Sequence, residues 1–109
     1  MPDLTSKKCV VCEVGGKPLS EKEAGILLKE LSGWKISGDF KNINKFWKFK
    51  DFKSAFAFAG KVADLAEEEG HHPEITVGWG KVKIELTTHA VSGLSENDFI
   101  LAAKIDRLN

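Results

Sequence analysis

Between residues 75 and 86 the chain alternates apolar and polar side chains twice around a glycine. Ile75, Val77 and Trp79 form the first run, Val82, Ile84 and Leu86 the second, and Gly80 lies between them. Period-two alternation marks a half-buried strand, and two such runs around a short turn make an antiparallel hairpin. Lys81, Lys83, Glu85 and Thr87 fall on the opposite side of the second run. One sheet face is therefore apolar and must be covered by another layer.

The flanking segments supply that layer. Asp51 to Glu69 reads as the longest helix, with Phe52, Phe56, Ala59, Val62, Ala63 and Ala66 as its apolar stripe. Phe58 and Leu65 lie off the stripe's centre. Its width exceeds what one sheet face needs, which points to burial in an oligomer. Ser20 with Glu23 matches a capping box, followed by Ala24, Leu27, Leu28 and Leu31 at helical spacing, with Gly33 as the stop. Ser95 with Asp98 is a second capping-box match, followed by Leu101, Ala102, Ile105 and Leu108. Trp34 to Phe49 reads as another hairpin. Trp34, Ile36 and Phe40 share one parity, Ile43, Trp47 and Phe49 the other, and Gly38-Asp39 is the expected turn. Phe46 fits neither side. The element order is α-β-β-α-β-β-α, which predicts an α+β fold: a four-stranded antiparallel sheet with three helices on one face.

A length of 109 residues allows one domain, taken as residues 20–109. Residues 1–19 hold Cys9, Cys12, Gly15-Gly16 and Pro18 without periodicity, and read as a flexible N-terminal arm. Sixteen Lys plus Arg balance sixteen Asp plus Glu. That balance argues against a domain working by general phosphate attraction, so no nucleic acid partner is expected. No apolar run approaches the roughly 20 residues that span a bilayer, and Met1 to Lys8 lacks an apolar signal core. The expectation is a cytoplasmic protein without a membrane partner. Two cysteines are too few for a disulfide scaffold. Cys9-x-x-Cys12 is half of a zinc site or a redox pair, but a zinc knuckle needs two further ligands and none is near in sequence. No catalytic part is expected of them.

Local rules break at one place. Glu67, Glu68 and Glu69 stand at the end of the long helix, where the dipole disfavours negative charge. Gly70 follows, then His71-His72-Pro73. The third histidine, His89, ends the second run of the hairpin after Thr88. A solvated acidic patch beside a polar loop is the plain explanation. Broken rules also gather at functional sites. Adjacent histidines on extended chain point to opposite sides, so His71 and His72 would not readily share one metal. They could flank a small molecule, one binding it and one moving a proton, a task suited to a side chain that titrates near neutrality.

The combination Glu67-x-x-x-His71-His72-Pro73-Glu74, Trp79-Gly80-Lys81-Val82, Leu86-x-Thr88-His89 and Gly93-Leu94-Ser95-x-x-Asp98 resembles the pterin-4a-carbinolamine dehydratases. The resemblance runs from Leu19 to Leu108 and includes Gly33-Trp34 and Phe49-x-Asp51-Phe52. It implies removal of water from 4a-hydroxytetrahydropterin, giving quinonoid dihydropterin for tetrahydropterin recycling, with no metal or organic cofactor. It also implies a homodimer or homotetramer. By the same resemblance, His71 is the acid that protonates the leaving hydroxyl and His89 a second acid or base. His72 chiefly binds the pterin, Glu67 and Asp98 orient the histidines, and Trp34 walls the ring. An acidic residue often precedes the paired histidines in related sequences, where this chain has Gly70. The rival readings are a small metal-dependent hydrolase using His71, His89 and an acid, and a non-enzymatic dimerisation or regulatory partner.

Overall fold

A computed structural model describes residues 4–7, 9 and 16–108. Helix α1 spans Glu21–Leu28, strand β1 Lys35–Ile36, β2 Ile43–Lys48, helix α2 Phe52–Glu69, β3 Glu74–Gly78, β4 Lys81–Leu86 and helix α3 Glu96–Asp106. The strands lie in the order β1-β2-β4-β3, and every neighbouring pair is antiparallel. Three helices and a four-stranded antiparallel sheet make the α+β fold that the patterning predicts. Among the described residues no helix is long and apolar enough to cross a membrane.

Strand β4 is central, and its alternation holds in full. Val82, Ile84 and Leu86 are completely buried, paired with Trp47, Lys45 and Ile43 of β2. Full burial of each such side chain contributes about 1.5–3 kcal/mol. Gly80 turns the chain from β3 to β4 at φ +69°, and a Cβ there would meet the Phe49 carbonyl oxygen at 3.0 Å. A side chain is excluded on both counts. Helix α2 packs on β3 and β4, and α3 packs against α2 and α1. Asp51 caps α2 by accepting from the Ser54 N–H at 2.8 Å, and Ser20 and Glu23 form both halves of their box on α1.

Four sequence expectations change besides that of Trp79, which the alternation put on the apolar face and which is 72 % exposed in the turn between β3 and β4. The first hairpin is shorter than its parity suggested: Phe40 lies in the turn at φ +58° and is half-exposed, rather than in a strand. The Ser37 hydroxyl accepts from the N–H groups of Lys41 and Asn42, and Asp39 also accepts from Lys41, so side chains satisfy the backbone where ladder bonds end. Helix α1 stops at Leu28, before Gly33, and Leu31 follows in a tight turn. The buried stripe of α2 is Ala55, Phe58, Ala59, Val62 and Ala66, a rotation that makes Phe58 central. Phe52, Phe56 and Ala63 are exposed instead.

The fourth change concerns the arm. Leu4 is 3 % exposed within the core, on a short 3₁₀ turn, Leu4–Ser6, that packs on α3. Lys7 pairs with Glu96 at 3.0 Å. The Cys9 N–H donates to Glu69 Oε1 at 3.0 Å, and its thiol lies 3.6 Å from the Asn97 carbonyl oxygen. One apolar residue leaves no periodicity to read, so this strap across α2 and α3 had no signature. Burial pushes the Cys9 thiol up to about 12, and the Glu69 charge adds to the effect. The thiol rather than the thiolate, which is the nucleophilic form, then prevails near neutrality. Cys12 lies outside the described residues.

Candidate active site

The three glutamates at the end of α2 have three different surroundings. The Glu69 side chain is only 4 % exposed and pairs with Lys104 of α3 at 2.8 Å. Glu67 is exposed and meets His72. Glu68 is exposed. Two of the three charges thus have a positive or hydrogen-bonding partner that offsets the helix dipole.

Gly70 ends α2 in the left-handed conformation at φ +69°, and its N–H and that of His71 both reach the Ala66 carbonyl oxygen. This is a glycine helix stop. The requirement for positive φ suits glycine at this position. After the turn, the extended chain sends the two histidines to opposite sides, as adjacent residues must. The His71 side chain is only 13 % exposed, and its Nε2 lies 2.6 Å from Asp98 Oδ1. The His72 side chain is 62 % exposed, and its Nε2 lies 2.7 Å from Glu67 Oε2.

Asp98 performs two tasks at once. It is completely buried at the third position of α3. Its Oδ2 accepts from the Ser95 N–H at 3.0 Å, the carboxylate half of the capping box, and from the Thr88 hydroxyl at 2.9 Å. Its Oδ1 is left for His71. A cap role and a histidine-holding role are therefore the two ends of one carboxylate. Thr88 in turn lies 2.7 Å from the Ser95 hydroxyl. It immediately precedes His89, so the Thr88–Asp98 bond ties the segment carrying His89 to the one carrying His71.

His89 opens a short 3₁₀ turn, His89–Val91, held by paired bonds between Thr88 and Gly93. It lines a cavity of about 650 Å³ together with His72, Glu74, Glu85, Thr87 and Lys41. That volume is in the range of small-molecule sites. Of the residues singled out in the sequence, His72 and His89 line this cavity, Glu67 bonds His72, and His71 and Asp98 form the buried pair. Trp34 is not part of the wall. It is 5 % exposed, packs edge-on against Trp47 at 5.6 Å, and donates its indole N–H to Asp106 at 3.1 Å. Its indole is spent on the core, so the expected aromatic wall is withdrawn. Thr88 had no assigned role, and Ser95 only that of a helix cap. Parity could have found Thr88, because it continues the inward set Val82, Ile84, Leu86 and a buried hydroxyl requires a partner. Among the described residues no three His, Cys, Asp or Glu side chains gather as a metal site.

Comparison with known proteins identifies the family of the chain. A relative from Nitrosospira multiformis assigned as a pterin-4-alpha-carbinolamine dehydratase is 49 % identical over 106 residues, covering 97 % of this chain and 92 % of its own. The Arabidopsis thaliana mitochondrial pterin-4-alpha-carbinolamine dehydratase 2 is 46 % identical over 112 residues, covering 99 % of this chain and 60 % of its own. Among solved structures, a transcriptional coactivator/pterin dehydratase from Brucella melitensis superposes with a TM-score of 0.79 at 35 % identity, over 84 % of this chain and 98 % of that one. A pterin dehydratase-like protein described as a RuBisCO assembly factor in the alpha-carboxysome gives 0.61 at 29 % identity, over 71 % and 89 %. The family model for pterin 4 alpha carbinolamine dehydratase matches residues 17–108, and with these relatives it shows that the chain belongs to that family of lyases.

Proposed function

We propose that this chain dehydrates 4a-hydroxytetrahydropterin to quinonoid dihydropterin, in tetrahydropterin recycling, by histidine general acid/base catalysis. Hydroxide is a poor leaving group. An acid must protonate it as the bond to carbon 4a breaks, while the adjacent ring nitrogen supplies the electrons and loses its proton to a base. Each positioned acid or base contributes roughly 10²–10⁴-fold. His71 donates to the leaving hydroxyl, His89 serves as a second acid or base for the other face, and His72 binds the pterin. Asp98 orients His71, and Glu67 orients His72.

The observation that supports this most is the 2.6 Å contact between His71 and a completely buried carboxylate, beside a cavity lined by His72 and His89. That geometry fixes one imidazole while leaving two others at the cavity wall. The working form is a homo-oligomer. Phe52 and Phe56 of α2 are 49 % and 61 % exposed and stack on each other at 6.3 Å, an apolar stripe suited to a second copy. The site of action is cytoplasmic.

A stopped assay of 4a-hydroxytetrahydropterin dehydration, run with and without a chelator, tests the reading. Turnover that survives exhaustive chelation is expected. Turnover lost to the chelator and restored by zinc would replace histidine acid/base catalysis with a metal-dependent mechanism.

A further inference from the structure

The buried side of the site contains hydroxyl groups that the reading above does not use. Thr88 is 5 % exposed and Asp98 completely buried, so the bonds between them are shielded from water. A carboxylate only accepts hydrogen bonds. The Thr88 hydroxyl, 2.9 Å from Asp98 Oδ2, must therefore donate to it. Its single proton is then committed, so in the 2.7 Å contact with Ser95 it is the Ser95 hydroxyl that donates. The Ser95 N–H donates to the same Oδ2 at 3.0 Å. The bonds converge on Asp98: one branch runs from the Ser95 hydroxyl through the Thr88 hydroxyl to Oδ2, and the other runs from the Ser95 amide directly to the same oxygen. Such chains strengthen each member.

Two donors on Oδ2 stop the carboxylate from rotating and leave Oδ1 facing His71 Nε2 at 2.6 Å. An acceptor at that distance requires a proton on Nε2. We propose that Thr88 is a positioning residue that, through Asp98, holds the His71 proton on Nε2 and so assigns proton exchange with the substrate to Nδ1. The inference rests on the proposed role of His71. In atoms, the charged ring gives its Nδ1 proton to the departing hydroxyl, the carbon–oxygen bond breaks, and the neutral ring remains with its proton on Nε2. Asp98 neither gains nor loses a proton. Thr88 touches neither substrate nor the reacting nitrogen, and its effect passes entirely through Asp98.

The experiment uses the full chain and the variants Thr88→Val and Thr88→Ser. Valine keeps the buried shape and removes the donor, while serine keeps the donor. Nitrogen-15 spectra of the neutral His71 ring are expected to show the proton on Nε2, protected from solvent exchange. In Thr88→Val that proton should exchange about tenfold faster as Oδ1 loses its fixed direction. Turnover should fall about 10–10²-fold with the Michaelis constant unchanged, a part of what one positioned acid contributes. Thr88→Ser should restore both. A wild-type ring with its proton on Nδ1 overturns the proposal without any variant needing to fold. So does Thr88→Val with unaltered exchange and turnover, or Thr88→Ser as impaired as Thr88→Val. Full turnover in His71→Ala would remove the role of His71 itself, and the ring spectra report separately on whether Thr88 sets the proton.

Discussion

His71 and His72 are consecutive residues in opposite environments. The His71 side chain is 13 % exposed and bound to a carboxylate with no exposure at all, while His72 and its partner Glu67 are both more than half exposed. The two contacts have nearly the same length, 2.6 and 2.7 Å. Distance therefore does not separate them; dielectric and freedom do. A buried charge-assisted bond fixes a ring because water cannot replace either partner, whereas an exposed pair contributes about 0–1 kcal/mol and breaks readily. The difference teaches which histidine can be held in one orientation for proton transfer and which can turn to meet a ligand.

Removing the buried ring should have the largest effect on turnover. His71→Ala is expected to lower kcat by about 10²–10³-fold in stopped-flow assays, and His89→Ala by about 10–10³-fold, with a larger loss for the double variant. Equal and small effects of His71→Ala and His72→Ala would erase the contrast between the two positions.

Asp98→Asn is the next largest. The amide keeps one oxygen for Ser95 and Thr88, but its NH₂ then faces Nε2, which can accept only if the ring proton moves to Nδ1. Turnover should fall about 10–10²-fold from this misplaced proton. Urea titration should show a stability loss of about 1–2 kcal/mol for the altered buried bond. Full turnover with a large stability loss would reduce Asp98 to a helix cap.

His72→Ala should act mainly on binding. The Michaelis constant should rise about three- to tenfold with little change in kcat, because contacts shared by ground and transition states are lost. Abolished turnover with unchanged binding would exchange the roles assigned to the two histidines.

The strap sharpens the comparison without touching chemistry. Leu4→Ala removes a buried side chain and should cost about 2–3 kcal/mol in urea titration, with turnover unchanged well below the melting temperature. Cys9, in a chain carrying Cys12→Ser, should resist iodoacetamide at pH 8 in the native state and react in urea, since only the thiolate attacks. Its raised pKa of about 12 gives stability that is fully present below about pH 9 and is lost as pH climbs toward 12, where the unfolded thiol ionises first. Rapid alkylation of native Cys9 would show that the strap does not bury it.

The order of elements and the central strand were legible in the sequence because each rests on local periodicity. Val82, Ile84 and Leu86 alternate, and Ser20 and Glu23 cap, whatever the rest of the chain does. The first hairpin and the long helix were less legible. Phe40 and Phe56 are apolar but exposed, so counting apolar residues placed a turn residue in a strand and rotated the buried face of α2. Leu4 was invisible because a solitary contact has no period. In the site, the resemblance located the histidines, and local rules identified Asp98 as a cap. Only the tertiary structure shows the cap and the histidine bond as two ends of one side chain. Trp34 went the other way: an indole beside a suspected site is recruited by the core through Asp106, a residue 72 positions away.

Because Asp98 opens α3 as well as holding His71, the two cannot come apart independently. Fraying of a first turn is the least costly opening an ordinary helix undergoes. In this chain the same excursion releases the Ser95 amide, the Thr88 hydroxyl and the imidazole together. The eleven-residue helix and the His71 contact are consequently joined at one carboxylate, so opening of the first turn of α3 loosens both together.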